Sequence, residues 1–132
     1  MSAIYAINTN STTVTAGNVI PCTVARRTGC AIMEADNMIL LRKPGYYIVN
    51  ATVTLTASEA DDVTIVLQKN GVAIPGFTAT ETFTTATTEV KTFYIQGIVK
   101  VLCYEGTPIL TLVNASNGVD IITSNVAITV HD

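Results

Sequence analysis

Few side chains of this sequence could take part in covalent or metal chemistry, and their spacing is poor for either. The three cysteines, Cys22, Cys30 and Cys103, form no Cys-x-x-Cys pair, which zinc and redox sites typically use. A thiol nucleophile needs a neighbouring base, but the single histidine, His131, lies one residue from the C-terminus. We therefore expect reduced and buried cysteines, and we predict no catalytic residue, no metal site and no cofactor.

One acidic cluster offers oxygen ligands. Glu59, Asp61 and Asp62 lie within four positions of one another, and carboxylate oxygens are the ligands that hard cations such as calcium prefer. No further carboxylate or regularly spaced ligand set accompanies them. The sequence therefore favours a solvated loop, and a cation site at Glu59, Asp61 and Asp62 is the alternative left open.

Composition argues against a nucleic-acid or membrane partner. The formal net charge is −3, whereas a nucleic-acid binder gathers lysine and arginine along one face. The basic pairs Arg26-Arg27 and Arg42-Lys43 are typical of solvated strand ends, and docking on an acidic partner is the alternative. No run of about 18 apolar residues could span a membrane. The N-terminal stretch lacks the basic and apolar segments of a secretory signal, so we expect the chain to fold in the cytoplasm.

The elements that position these side chains are predicted to be β-strands. Threonine, valine and isoleucine recur, and only 13% of the 132 residues are charged, against about 25% in a typical protein. Residues 45–56, GYYIVNATVTLT, alternate between apolar and polar like a half-buried strand, yet Tyr46 and Ile48 make the second face apolar too. The predicted inward positions are Tyr47, Val49, Ala51, Val53 and Leu55. We expect a partner to cover part of the remaining apolar surface.

Residues 63–76, VTIVLQKNGVAIPG, are predicted to form a hairpin. Asn70 and Gly71 tolerate the positive φ of a two-residue type I′ turn. The predicted facing pairs are Lys69 with Val72 and Leu67 with Ile74. Pro75 has no N–H for a sheet ladder, so we expect Pro75-Gly76 to mark the end of the second strand or the edge of a sheet.

Further stretches extend the pattern to roughly eight to ten strands, the number typical of a sandwich. Residues 29–43 are predicted to form a hairpin that turns at Asp36-Asn37, and the threonine-rich residues 78–92 an exposed strand and loop. In residues 92–103 the predicted inward positions are Phe93, Ile95, Val99, Val101 and Cys103. The predicted fold is all-β, with two antiparallel sheets forming a jelly-roll sandwich in a single domain.

Four stretches, in this order, resemble the tumour necrosis factor-like jelly rolls, which include the globular heads of complement: GYYIVNATVTL, VTIVLQKNGVAIPG, YIQGIVKVLCYEGTPILTL and a terminal apolar strand. The resemblance implies a homotrimer whose subunits pack around a threefold axis through one sheet of each. By position it places Tyr46, Ile48, Tyr94 and Ile98 at the trimer interface, and these residues lie on strand faces too apolar for water. Cover by a loop of the same chain is the alternative. The resemblance carries over no calcium role, because Gly106-Thr107 stands where the family has Gly-Asp.

The first twenty residues, MSAIYAINTNSTTVTAGNVI, are similar to small jelly-roll proteins of bacteriophages and of prophages of Gram-positive bacteria. We therefore divide the chain into an N-terminal arm with the first strand, residues 1–29, and a jelly-roll core, residues 30–132. The arm would add a strand to a neighbour or lie on a capsid. The expected location is the virion, after assembly in the host cytoplasm.

Several functions fit this fold. The one we favour is a non-enzymatic virion protein, a trimeric capsid decoration or cement protein that contacts itself and the major capsid protein or another virion protein. The alternative is a receptor- or glycan-binding tip of a phage fibre, although 6% aromatic residues and no tryptophan weaken sugar stacking. A bacterial signalling ligand or spore-coat domain shares the fold, and an enzyme has the least support.

Overall fold

The computed structural model describes residues 1–35 and 37–132, and at residues 33 and 34 it describes the backbone alone. The regular elements over these residues are all strands. In chain order they are β1 (Ala3–Asn8), β2 (Thr12–Val14), β3 (Thr23–Thr28), β4 (Ile32–Ala35), β5 (Met38–Leu41), β6 (Gly45–Ala57), β7 (Asp62–Lys69), β8 (Val72–Thr82), β9 (Lys91–Val101), β10 (Ile109–Asn114) and β11 (Ile121–His131).

Two antiparallel sheets face each other. Sheet A has the order β3-β1-β11-β6-β9, with β2 paired to β11, and sheet B has the order β4-β5-β10-β7-β8. The apolar core between the sheets takes residues from nearly every strand, from Ile4 on β1 to Val130 on β11. The predicted all-β, two-sheet sandwich is therefore confirmed.

The strand β6 alternates as predicted. Its inward side chains Tyr47, Val49, Ala51, Val53 and Leu55 are all buried. Burial raises the pKa of Tyr47, whose hydroxyl donates a 2.5 Å hydrogen bond to the carbonyl of Lys43. The side chains of Tyr46, Ile48 and Asn50 point the other way and are exposed.

The predicted N-terminal arm, residues 1–29, supplies strands of sheet A. β1 pairs with β11 from Ala3 opposite His131 to Asn8 opposite Val126, and it pairs with β3 on its other side. Because Ile4 and Ala6 are buried in the core, β1 is held by packing as well as by hydrogen bonds. The expectation that the arm adds a strand to a neighbour is corrected for β1, which completes the sheet of its own chain.

The turn between β7 and β8 has the predicted form. Asn70 and Gly71 have φ of 53° and 81°, and Lys69 lies opposite Val72. The Asn70 side chain also accepts a 2.9 Å hydrogen bond from the amide of Ile109, which ties the hairpin to β10.

The rest of this hairpin differs in part from the prediction. Leu67 does not face Ile74, and Pro75 does not end the strand, because β8 continues to Thr82. The alternative for Pro75 is confirmed, since β8 is an edge strand of sheet B. The neighbouring pairs are Gln68 with Ala73 and Val66 with Thr78. The intervening residues of β8 therefore bulge out opposite Leu67. Proline, which cannot donate to a ladder, and Gly76, with φ of 87°, are suited to such a bulge.

The bulge brings a ring from sheet B onto sheet A. The ring of Phe77, which is 3% exposed, lies on Gly97 of β9. A Cβ atom at Gly97 would lie 2.7 Å from the Cζ atom of that ring, closer than real contacts allow. Gly97 therefore lacks a side chain because Phe77 occupies its space.

Local pattern also predicted the hairpin of residues 29–43 and the state of the cysteines. The hairpin of β4 and β5 is confirmed by the pairing of Ala35 with Met38, although the predicted turn residue Asp36 lies outside the described residues. None of the three cysteines forms a disulfide, and only Cys22 is buried. The prediction of burial is wrong for Cys30 and Cys103, because both lie in loops beyond the ends of β3 and β9.

The threonine-rich loop between β8 and β9 is exposed, as predicted, and is held by one carboxylate. Glu89 accepts hydrogen bonds from the amides of Thr84 and Thr85 at 2.8 and 3.2 Å, and lies 3.4 Å from Lys91. These bonds, that from the Thr84 amide above all, lower the pKa of Glu89 from 4.5 to about 2. The buried ring of Phe83, 6.4 Å from that of Phe93, anchors the start of the loop.

Replacing Gly97 with alanine is expected to destabilise the protein by about 1–3 kcal/mol, because the added methyl group overpacks the ring of Phe77. Urea unfolding of wild type and Gly97→Ala measures the change. The substitution Thr78→Ser, at an exposed position of β8, serves as control and should change the free energy of unfolding by less than about 0.5 kcal/mol. Equal stability of Gly97→Ala and wild type would contradict the packing described here.

Protonation of the Glu89 carboxylate should lower the free energy of unfolding at acid pH. Since its folded pKa is lowered to about 2, its contribution is complete above about pH 4.5 and is lost as the pH falls towards 2. Urea unfolding between pH 5 and 2.5 should therefore show a smaller decline for Glu89→Gln than for wild type. Glu81→Gln, which alters the other carboxylate beside Lys91, should retain the decline of the wild type.

Candidate functional site

The outer face of sheet A carries four exposed apolar side chains on two adjacent strands, β6 and β9. Their exposed fractions are 63% for Tyr46, 41% for Ile48, 73% for Tyr94 and 62% for Ile98. We call these four residues the β6–β9 patch. The exposures contradict the alternative that a loop of the same chain covers them.

Strand register places these side chains together. Ile48 lies directly opposite Ile98, Tyr46 lies opposite Lys100, and Tyr94 lies opposite Thr52. Directly opposed side chains of antiparallel strands have Cβ atoms about 5 Å apart, so the two isoleucines meet on the surface. The strand pattern alone therefore places Tyr46, Ile48 and Ile98 side by side at one side of sheet A, with Tyr94 farther along the same face.

The polar groups in and beside the patch are two neutral amides and one cation, Lys100. Asn50 and Gln96 oppose each other between the isoleucine pair and Tyr94, and both are exposed. The ammonium of Lys100 lies 5.6 Å from the ring centroid of Tyr46, within range of a cation–π contact. The side-chain amides of Asn50 and Gln96 are available to hydrogen-bond with a partner. The sequence pattern did not identify these two residues as functional.

The apolar character continues across the sheet to β1. Tyr5, 41% exposed, lies opposite Thr129 of β11 and Arg26 of β3. These residues border a depression of about 120 Å³. Sequence reasoning missed Tyr5, although its alternation with the buried residues Ile4 and Ala6 would have placed it on this face.

The residues with reactive or metal-binding side chains are not brought together. Among the side chains of residues 1–32, 35 and 37–132, no three of His, Cys, Asp or Glu are close enough to hold a metal ion. In the acidic loop, Asp61 accepts from the amide of Asp62, and Asp62 accepts from the hydroxyl of Thr82. This arrangement gives no support to the cation site that was the alternative for Glu59, Asp61 and Asp62.

A second depression, of about 350 Å³, lies where β1 and β3 meet the loop before β2. The Asn8 amide at this place donates to the hydroxyl of Thr12 and to the carbonyl of Pro21. Among the described side chains, every buried nitrogen and oxygen has a hydrogen-bond partner. The depression therefore presents no unpaired buried group of the kind that catalytic sites use.

No described helix is long and apolar enough to cross a membrane. The β6–β9 patch is a separate matter, because its exposed apolar side chains call for a function. A monomeric soluble protein rarely leaves contiguous aromatic and aliphatic side chains in water.

The solved structures that are similar to the chain in fold include the following three. The globular domain of zebrafish complement 1qA protein aligns with a TM-score of 0.73 at 6% identity, covering 99% of this chain and 96% of that one. Murine APRIL aligns with a TM-score of 0.65 at 12% identity, covering 96% and 97%. The PRD1 vertex protein P5 aligns with a TM-score of 0.56 at 13% identity, covering 98% and 71%.

No family model matches the chain, and no curated protein sequence matches it. At these identities the similarity establishes the fold and nothing further. The chain is a jelly roll of the kind seen in tumour necrosis factor-like proteins and complement globular domains, as the resemblance of its sequence implied.

Proposed function

We propose that the chain is a non-enzymatic structural protein of a bacteriophage virion and acts as a homotrimer joined through the β6–β9 patch. In this role it is a capsid decoration or cement protein, seated on the major capsid protein or on another virion protein. The observation that carries the proposal is the patch itself, four apolar side chains between 41% and 73% exposed on one sheet face.

Burial of the patch would favour assembly. Covering the exposed part of each of its four side chains would contribute on the order of 1–2 kcal/mol, and a closed ring of three subunits covers the patch three times. Asn50 and Gln96 would add hydrogen bonds at low desolvation cost, since both are neutral. Assembly must also offset the lost freedom of the subunits, so well-packed contacts are needed in addition to area.

The layout of the face supports a ring. The β6–β9 patch lies at one side of sheet A, and Tyr5 with its depression lies at the other side of the same face. A twofold dimer would place the patch against itself, whereas a ring places two different surfaces in contact. The threefold ring is the assembly that the tumour necrosis factor-like resemblance implies.

One observation and one expectation from the sequence support a virion. A similar structure is named as a vertex protein, PRD1 P5, and it shares the fold over 98% of this chain. The resemblance of the N-terminal sequence to small jelly-roll proteins of phages and prophages is the expectation. None of the three proteins compared is named for an enzymatic activity, which agrees with a structural role.

One feature favours the second candidate, a receptor- or glycan-binding tip of a fibre. Tyr104 is 79% exposed on the turn after β9. Glu105 braces this turn by accepting from the amide of Leu102 at 2.5 Å and from Lys69 at 2.8 Å, and the bond from Lys69 lowers the pKa of Glu105. A rigidly presented tyrosine is typical of binding surfaces.

The double variant Tyr94→Lys, Ile98→Glu is expected to convert the trimer to a monomer, because it places charges where apolar contacts would form. Light scattering should give three times 14.0 kDa for wild type and 14.0 kDa for the variant. Thr78→Glu, at an exposed position on sheet B, should leave the trimer intact. Both variants should retain the wild-type circular dichroism, because the changed side chains are exposed. A monomeric wild type would overturn the homotrimer.

Quantitative mass spectrometry of purified virions separates the two roles. A decoration protein should be present in hundreds of copies that remain with the isolated heads. A few copies that remain with the fibres would favour the receptor-binding tip. Virions of the encoding phage that lack the chain altogether would contradict both.

A further inference from the structure

Charge is divided between the two ends of the sandwich. At the end where β6 meets β7, backbone hydrogen bonds join Ser58 to Asp120, Phe83 to Asp61 and Thr87 to Ala57. We call this the acidic end; its carboxylates are Glu59, Asp61, Asp62, Glu81, Glu89 and Asp120. Lys91 is the one cation placed there among the described residues, and it lies between Glu81 and Glu89.

The opposite end is positive. Gly45 lies opposite Val101, and Lys69 contacts Glu105 at 2.8 Å, so the loops before β6 and after β9 meet the β7–β8 turn here. We call this the basic end; its cations are Arg42, Lys43, Lys69 and Lys100. Glu105 pairs with Lys69, and Asp132, which follows His131 opposite Ile48, adds one carboxylate to this end. The exposed residues Arg42, Lys43 and Lys100 outnumber it and leave the end positive.

The two ends do not neutralise each other within one molecule. β6 has 13 residues and so extends about 40 Å at about 3.3 Å per residue. The Debye length is only about 8 Å at physiological salt, so each end presents its own charge to whatever lies beside it. The acidic end of one copy is therefore complementary to the basic end of another.

Both ends also expose apolar side chains. Tyr104 and Val72 are 79% and 69% exposed at the basic end, and Val90 is 60% exposed at the acidic end. An end-to-end contact would remove these side chains from water inside a rim of opposite charges. This arrangement, an apolar centre within a polar rim, is typical of protein interfaces.

We propose that copies of this chain stack head to tail, with the basic end of one against the acidic end of the next. The occupant of each end is thus a second copy. The contact is heterologous and does not close, so it extends a column along the strand direction. It uses none of the four residues of the β6–β9 patch, and it does not depend on the proposed function.

Sedimentation of the full chain at two salt concentrations tests the proposal. At roughly 10 mM salt, where screening is weak, the weight-average mass should be at least about twice that at roughly 150 mM. Arg42→Gln, Lys43→Gln removes two charges from the basic end and should abolish this increase. Thr78→Glu, Thr80→Glu makes the same change in net charge on the side of sheet B and should retain it.

Mixing variants tests the head-to-tail direction. Glu59→Gln, Asp61→Gln alters only the acidic end and should also fail to stack. Mixed with Arg42→Gln, Lys43→Gln, it should form pairs but no longer columns, because one intact basic end then meets one intact acidic end. Head-to-head contacts would give no such pairs.

The wild type overturns the proposal if its mass does not change with salt, and stacking by Arg42→Gln, Lys43→Gln overturns it as well. Loss of stacking in the Thr78→Glu, Thr80→Glu control would also overturn it, because net charge alone would then explain the effect. The patch variant Tyr94→Lys, Ile98→Glu should still stack, as monomers. The patch variant therefore tests the trimer alone, and the variants at the two ends test stacking alone.

Discussion

A strand in a two-layer sandwich can bury only one of its two faces against the opposite sheet, and β6 is apolar on both near its start. Tyr47 and Val49 fill the core, while Tyr46 and Ile48, one residue away, face outward. The same holds on β9, where Ile95 and Val99 are buried and Tyr94 and Ile98 are exposed. Since the period of a strand is two, the outer set cannot turn inward without expelling the inner set. The fold therefore creates an apolar surface that only another molecule can cover.

Local sequence pattern was sufficient to predict strand faces and tight turns, because these depend on residues that are close in sequence. Alternation predicted the faces of β6 and β9, and Asn70-Gly71 predicted a turn that requires positive φ at both residues. The same alternation placed the four patch residues on the outward faces of their strands, and the family resemblance assigned them to a trimer interface. The family resemblance added the threefold ring, which no local pattern contains.

The errors occur where distant residues decide. Pro75-Gly76 predicted either the end of a strand or a sheet edge, and β8 is an edge strand. The strand nevertheless continues past them as a bulge that carries Phe77 to the space above Gly97. The N-terminal segment that contains β1 was expected to reach a neighbour, but β1 pairs with β11 of its own chain, more than a hundred positions away in the sequence. The alternation of a strand does not identify the strand with which it pairs. Cys103 was expected to face inward, but the strand stops at Val101, before the turn that Glu105 braces.

The apolar β6–β9 patch and the charged ends of the sandwich both follow from the small number of charged residues. With 13% charged residues, the chain has few groups to distribute, and those at its ends lie mainly in loops and turns. Apolar contacts act only on touching and are insensitive to salt, whereas charges at the ends act over a Debye length and fade as salt rises. Side contacts through sheet A would therefore persist where end contacts are screened. A molecule built in this way can assemble first in the plane of its patch and only then, as ionic strength permits, along its strands.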